Sequence, residues 1–292
     1  MSEMPSVRVD LMVAGYCRQR ERFARSGGSW WRSIRFPALV ALIRAYPADL
    51  DDPPASLPPL LFDTGYAPRF FEATRRLPAA IYRWLTPVNC SSHDAAVTQL
   101  RGLGVDAADV GQVVVSHFHG DHVAGLNDFP SARIIRGAGS LPSGWASERP
   151  LAGLRQGRLK SLIPKDLGDR EVVLGADTAE PVPGLDGFVG QWLLDGAAWA
   201  VHLPGHTAGH LGLYLPKTQG PPLLLVGDAC WSTRAYTDGQ LPHPLAARIN
   251  ESEADYVGTI AQLGRLQRHR PDLLIVPSHD QQAVDAARSA LS

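Results

Sequence analysis

Residues 116–126, SHFHGDHVAGL, place three histidines and one aspartate within six positions, directly after the apolar run at 113–115. Histidine is common in surface turns and needs no partner there, so a solvated loop is one interpretation. On an extended segment, however, His117 and His119 project to the same side, which would let them share one ion. Their spacing therefore favours a functional cluster over a solvated turn.

Asp121 and His122 follow the HxH pair across Gly120. Glycine adopts backbone angles that other residues avoid, and it could fold the loop back toward the same point. A cluster of imidazoles and one carboxylate suits zinc or a related transition metal. The sequence therefore predicts a metal site at the end of this strand.

Three further apolar runs also end in a potential metal ligand. WAVHLPGH ends at His206, PLLLVGD at Asp228 and LLIVPSH at His279. Strand ends along one edge of a sheet can converge in space. We therefore expect one site, built from four strand ends, in a single domain over residues 1–292.

Composition narrows the class of protein. The 292 residues are 45% hydrophobic and 20% charged with a net charge of −1, which gives no electrostatic case for nucleic acid or an anionic membrane as partner. The three cysteines are widely spaced and form no CxxC pair, which argues against a disulfide framework. We see no secretory signal and no apolar run near the roughly 18 residues that span a bilayer. A cytoplasmic protein with a small-molecule substrate is the expectation.

Hydrophobic periodicity divides the chain into elements. Residues 16–35 lack strand alternation and contain a Gly27-Gly28 break, so we interpret them as an extended loop or lid. Residues 66–92 are rich in aromatics and are predicted to form a helical insert. The remaining predictions are strands at 6–15, 36–46, 60–65, 110–117, 132–137 and 171–174, helices at 93–104 and 254–267, and a loop at 49–59.

These motifs, in this order, resemble the metallo-β-lactamase fold superfamily. The family's pattern is HxHxDH, then PGH, GD and a late histidine after a strand, and here it reads HFHGDH at 117–122 followed by the three segments above. FDTG matches the family's supporting aspartate at Asp63. The resemblance covers residues 7–282, and five ordered elements are far more specific than a lone HxH.

The resemblance implies an α/β fold, an αββα sandwich of two mixed β-sheets with helices on both outer faces. It also implies two divalent metal ions, with zinc expected and manganese, iron or cobalt as alternatives. By position, His117, His119 and His206 would hold the first ion, Asp121, His122 and His279 the second, Asp228 would bridge them, and Asp63 would support the site.

Such a pair of ions, about 3.5 to 4 Å apart, can share a water and present hydroxide at neutral pH. One ion can polarise a carbonyl or phosphoryl oxygen while the other stabilises the leaving group. Asp121 could pass a proton to that group, and Asp228 would hold the separation, so both are candidate catalytic residues. The resemblance therefore implies a hydrolase.

Within the superfamily the layout most resembles the acyl-homoserine lactone lactonases, which quench quorum signals. Relatives that hydrolyse antibiotics usually carry Arg where His122 stands and Cys where Asp228 stands. The lactonases have a tyrosine three residues after the bridging aspartate, whereas this chain has Trp231, which cannot replace a phenol as a proton donor. Tyr236, further along the same loop, is a candidate substitute.

Aromatic and basic residues are the candidates for substrate contact. An acyl chain needs apolar walls, which Trp30, Trp31, Phe70 and Tyr82 could supply, although the alternative is that they belong to the core. Seven arginines between residues 18 and 44 face one acid, Glu21, for a local charge of +6. This run fits either an anionic substrate or a solvated face.

The leading interpretation is a dinuclear metal hydrolase that opens an ester-type bond, most simply that of a lactone. A thioesterase or phosphodiesterase with the same metal site is the enzymatic alternative. A metal-binding scaffold or sensor without turnover is the alternative from another class. A homodimer through the N-terminal insert also stays open.

Overall fold

The computed structural model describes residues 6–46 and 57–292 of the chain. Most of the loop predicted at 49–59 lies outside these ranges. The strands are β1 (Ser6–Arg20), β2 (Ser33–Tyr46), β3 (Leu60–Phe62), β4 (Val88–Asn89), β5 (Gln112–Val114), β6 (Arg133–Gly137), β7 (Glu171–Leu174), β8 (Glu180–Pro181), β9 (Val189–Leu193), β10 (Ala198–His202), β11 (Leu211–Leu215), β12 (Leu223–Gly227) and β13 (Leu274–Pro277).

Helices of one to five turns connect these strands. They are α1 (Glu21–Ala24), α2 (Arg69–Ala73), α3 (Ala80–Leu85), α4 (Ala96–Gly102), α5 (Gly120–Val123), α6 (Pro150–Arg155), α7 (Leu167–Arg170), α8 (Thr233–Asp238), α9 (Pro244–Ala247), α10 (Glu253–His269) and α11 (Gln281–Leu291). The helices predicted at 93–104 and 254–267 are confirmed as α4 and α10, and α2 and α3 fall in the aromatic insert predicted to be helical.

The strands form two mixed sheets. The first has the order β4-β1-β2-β3-β5-β6-β7, and the second has the order β13-β12-β11-β10-β9-β8. In the first sheet β3, β5, β6 and β7 are parallel neighbours, and in the second only β12 and β13 are. Mixed sheets of this kind confirm the predicted fold class.

Strand β2 explains why the two sheets stack. Its successive residues are buried on both faces: Leu39, Ala41 and Ile43 join one apolar cluster, and the alternate residues at 38, 40 and 42 join another. Because strand side chains alternate between faces, a run that is apolar throughout must be covered on both sides. The first cluster also contains residues of β10–β13, so it lies between the sheets.

The outer faces of both sheets are also covered. The second cluster of β2 includes Phe70 of α2 and Leu100 of α4, which cover the first sheet. A third cluster joins Val226 of β12 to Ile260 and Leu263 of α10, which covers the second sheet. The layers are therefore helices, sheet, sheet and helices.

The prediction of an extended loop or lid at residues 16–35 is wrong. Both ends of this segment belong to strands, since Arg20 pairs with Ser33 and Cys17 with Phe36 in a continuation of the β1–β2 hairpin. Helix α1 and a turn at 25–32 form only the tip. Apolar alternation is weak here because the outer face carries exposed arginines and the inner face mixes the buried Cys17 with the polar Gln19, while backbone hydrogen bonds set the pairing.

We expect the core between the sheets to dominate stability. Leu213 on β11 is fully buried there, so Leu213→Ala should lower the free energy of unfolding by about 2 to 5 kcal/mol through lost burial and a residual cavity. Urea denaturation measures this change. The matched control is Leu151→Ala at a half-exposed position on α6, and an equal loss in both variants would contradict the assignment of the core.

Candidate metal centre

The loops that follow β5, β10, β12 and β13 meet at one place. Two groups of ligand atoms form there, and within each group all atoms lie within 4.8 Å of one another. The first group is His117, His119, His206 and Asp228, and the second is Asp121, His122 and His279. All seven residues predicted to be metal ligands are therefore brought together, in the same division that the family resemblance implies.

Backbone hydrogen bonds hold the loops in this arrangement. The amide of Leu211 on β11 donates to the carbonyl of Ser116, which ties the second sheet to the loop that follows β5 in the first. Both the amide and the hydroxyl of Thr64 donate to the carbonyl of His122, at 2.8 and 2.9 Å. The histidine loop is thus fixed from both sheets.

Asp228 contacts members of both groups. One carboxylate oxygen, Oδ1, lies 3.3 Å from His122 Nε2 and 3.1 Å from His279 Nε2. The other, Oδ2, lies 3.4 Å from His206 Nε2. This is the position that a carboxylate shared between two ions requires.

The backbone of Asp228 is fixed by a further histidine. Its amide donates to His210 Nε2 at 3.1 Å, and burial lowers the pKa of His210 to about 3, so the ring stays neutral and can accept. His210 is thus a structural residue that places Asp228.

Each of the five clustered histidines uses one ring nitrogen to contact an oriented oxygen. Such outer contacts fix the ring and its tautomer, and they leave the other nitrogen free to bind a metal. The partners are Ser116 Oγ for His117 (3.0 Å), the Gln156 carbonyl for His119 (2.9 Å), Asp63 for His122 (2.7 Å), Asn250 Oδ1 for His206 (2.8 Å) and the Pro37 carbonyl for His279 (2.8 Å).

Asp63 supports the histidine loop, as its FDTG motif predicts. Its fully buried carboxylate accepts hydrogen bonds from the amide and hydroxyl of Ser116, both at 2.8 Å, as well as from His122. Burial opposes a charge on His122, yet the neighbouring carboxylates, Asp63 first, hold the pKa of this imidazole well above its ordinary value. The acid therefore orients the ring and balances charge at the site.

The cluster fits metal ions on two further observations. Three buried atoms that face it have no hydrogen-bond partner, namely His117 Nε2, His122 Nε2 and Asp228 Oδ1. Unpaired buried polar atoms are costly, and coordination would satisfy them. Burial also lowers the pKa of His117, His119 and His206, which favours the neutral form that binds a metal, whereas nearby carboxylates outweigh burial and raise the pKa of His122 and His279.

A cavity of about 410 Å³ opens onto this cluster. Of the aromatic residues predicted to contact substrate, Tyr82 and Trp231 line it. Trp231 donates its indole N–H to Asp228 Oδ2 at 3.1 Å, so that donor is already engaged. Cys17, Phe36, Leu85 and Leu245 also line the cavity.

The other four residues predicted to contact substrate do not line this cavity. Tyr236 is buried on α8, and its hydroxyl donates to the Ile275 carbonyl at 3.0 Å, away from the cavity. Phe70 is fully buried in the core, as the alternative interpretation held. Trp30 and Trp31 lie at the hairpin tip, 47% and 90% exposed, and neither lines the cavity.

Sequence reasoning missed the groups that orient the histidines. The carbonyls of Gln156 and Pro37 are backbone atoms, which leave no trace in residue type. Asn250 lies 44 positions from His206 and belongs to no motif, so only the folded chain brings it near.

Comparison with known proteins identifies the family. A family model described as the metallo-β-lactamase superfamily matches residues 59–279. A probable metallo-hydrolase of Mycobacterium tuberculosis is 32% identical over 212 residues, which are 67% of this chain and 63% of that protein. The chain thus spans less than two thirds of that relative's length.

Other relatives are named as lactonases. The N-acyl homoserine lactonase AttM of Azorhizobium caulinodans is 28% identical over 200 residues, 68% of each protein. Among solved structures, a variant of B. thuringiensis AiiA with N-decanoyl-L-homoserine at its active site has a TM-score of 0.70 at 18% identity, covering 98% of this chain and 97% of that one. AidC, a dizinc quorum-quenching lactonase, has a TM-score of 0.60 at 15% identity, with coverages of 96% and 89%. At these identities the structural matches establish the fold alone.

Among the described residues, no helix has the length and apolar character needed to cross a membrane.

We expect the purified protein to bind two divalent ions per chain. In His279→Ala the content should fall to roughly one, because the second group then retains only one histidine and one carboxylate besides the shared Asp228. Elemental analysis after dialysis measures the ratio. His269→Ala, at an exposed position on α10, is the matched control and should retain both ions. Equal metal content in the two variants would contradict the assigned ligands.

Proposed function

Because the chain belongs to the metallo-β-lactamase superfamily, we propose that it is a dinuclear metal-dependent hydrolase that opens a lactone or a related ester-type bond in a small molecule. The observation that carries the proposal is the contact of Asp228 with both ligand groups beside an open cavity. The lactonase relatives support a lactone as the substrate. Zinc is the proposed metal, since histidine nitrogen dominates the ligand set.

Two divalent ions held here would lower the pKa of a shared water and polarise the substrate carbonyl. Asp228 would contact both ions, and the indole N–H of Trp231 holds Asp228 Oδ2 in place. Asp121 lines the cavity, and we assign its carboxylate the transfer of a proton to the leaving oxygen. Each step uses a side chain that the fold already positions.

Among the described residues that line the cavity, the one thiol is not activated. Cys17 lines the cavity, but burial, with a smaller contribution from the charge of Asp121, raises its pKa to about 12. A nucleophilic cysteine needs the opposite shift, because the thiolate is the reactive form. We therefore assign the attacking group to water.

Tyr82 could supply the phenol hydroxyl that the lactonases carry three residues after the bridging aspartate. Its ring packs against Phe70 at 5.5 Å, and its hydroxyl is so close to the metal loop that a Cβ added to Gly120 would lie 3.5 Å from it. Burial raises the pKa of Tyr82 well above its ordinary value, so the group stays protonated and can donate. We propose that it donates a hydrogen bond to the substrate carbonyl.

The seven arginines between residues 18 and 44 are weaker support for an anionic substrate in the structure than in the sequence, because some of them are paired. Glu21 forms ion pairs with Arg25 and Arg32, and Asp10 pairs with Arg44. Three of the seven arginines are thus engaged by carboxylates. We therefore place thioesters and phosphodiesters second, after neutral lactones.

The decisive experiment measures proton release when metal-loaded protein meets a long-chain acyl-homoserine lactone. We expect turnover in the native protein and in His269→Ala, and loss of at least a hundredfold in His206→Ala, because that ring is in the first ligand group. Chelation should abolish the activity and added zinc should restore it.

The same assay separates the alternatives. Turnover of anionic thioesters or phosphodiesters but not of lactones would move the assignment to the second enzymatic class. A protein that holds two ions and hydrolyses none of the three would instead be a metal-binding scaffold.

Tyr82→Phe tests the proposed hydrogen bond. The variant keeps the ring packing on Phe70, so metal content should stay at the native level, while kcat/KM falls about 10- to 100-fold. Tyr236→Phe is the matched control, because its hydroxyl serves only the Ile275 carbonyl. Equal kcat/KM in the Tyr82→Phe variant and the native protein would remove this role.

A further inference from the structure

A second and larger cavity lies outside the metal centre. Its volume is about 960 Å³, and none of the residues that line it also lines the metal-site cavity. Its walls come from α2, the turn at 76–79 and the segment 145–166. The volume falls in the range of small-molecule sites.

The lining of this cavity carries more cations than anions, although Arg69 and Arg158 form ion pairs with carboxylates outside the lining. Five cationic side chains line it against one carboxylate, Asp166, which is already bound to Arg170 at 2.9 Å. The five are Arg69, Arg76, Arg158, Lys160 and Lys165. Within the described ranges, Arg76 and Lys165 have no carboxylate partner. A concave surface with this surplus attracts anions.

One of the cations is buried and incompletely paired. The Arg158 side chain is 5% exposed, and its terminal nitrogens lie 2.8 Å from Glu148 and 3.8 Å from Glu251, but its Nε has no hydrogen-bond partner. A buried guanidinium N–H without an acceptor is costly. A ligand oxygen would supply the missing acceptor.

The rest of the wall is apolar. Leu77 and Trp145 contribute large side chains, and Leu154 and Ile163 extend the apolar surface. Leu77 is 66% exposed, so its side chain presents apolar surface at the cavity. The cavity therefore combines a cationic region with an apolar one.

We propose that this cavity binds a small anionic amphiphile, with a carboxylate at the cationic side chains and an apolar chain along Leu77 and Trp145. The proposal does not rest on the catalytic function. The wall between this ligand and the metal centre is the turn at 156–158, whose Gln156 carbonyl accepts from His119 and whose Arg158 pairs with His119 through the backbone. The site thus adjoins the metal centre without sharing its ligands.

Binding and charge dependence are tested with decanoate by calorimetry on the metal-loaded protein. We expect a saturable site, no binding of the cationic decyltrimethylammonium, and roughly tenfold weaker decanoate binding in Arg76→Gln/Lys165→Gln. The control Arg133→Gln/Arg265→Gln removes the same charge from exposed positions elsewhere and should keep the native affinity. Equal affinity in both double variants, or no binding to the native protein, would overturn the proposal.

The location is tested with 10-bromodecanoate, whose bromine quenches nearby tryptophans. Quenching should disappear in Trp145→Phe, since Trp145 lines this cavity, and persist in Trp231→Phe, since Trp231 lines the metal-site cavity. The reverse pattern would place the amphiphile at the metal centre and refute a second site.

Discussion

The carboxylate of Asp228 is the group around which the rest of the site is arranged. It is 3% exposed, and three imidazole nitrogens and one indole N–H surround its two oxygens. Burial disfavours its charge, but the imidazoles of His279 and His122 hold the pKa of Asp228 well below its ordinary value. A buried anion of this kind persists only where opposite charge is built around it. The histidines, and the metals they would bind, supply that charge.

Burial of apolar side chains elsewhere in the fold stabilises the protein enough to offset the cost of burying these polar groups. Strand β2 is buried on both faces, and the two sheets bury a continuous apolar layer between them. Polar ligands then occupy only the loops that follow strands. The turn into Asp228 shows how tight the fit is: Gly227 has φ +53°, and a Cβ there would come within 2.9 Å of the His210 ring. Glycine is suited to this position because it adopts a positive φ without strain and has no Cβ to collide with the ring.

Features that depend on nearby residues in the sequence could be predicted, whereas features that depend on tertiary contacts could not. The ligands 117–122 could be predicted because their spacing is local, and the three later ones because each ends an apolar run. Tyr236 could not be placed, because Ser232 caps α8 and the helix turns this side chain inward onto β13. Residues 16–20 lacked apolar alternation because Cys17 is the one residue among them in the core, and pairing with β2 sets their conformation. Side-chain direction in loops and backbone pairing at the surface are set by tertiary structure.

Two of the five histidines, His119 and His279, are oriented by main-chain carbonyls, of Gln156 and Pro37. A main-chain carbonyl survives every substitution at its own position. Genetic drift can therefore alter the side chain at either position without deleting the acceptor, whereas a single change at Asn250 or Asp63 removes one. The orientation of His122 and His206 is therefore more sensitive to substitution of the partner residue than the orientation of His119 and His279. The side chain of Gln156 can therefore vary while His119 keeps its orientation, but Gly157 cannot, because its φ is +70° and a Cβ there would lie 2.5 Å from the His119 ring.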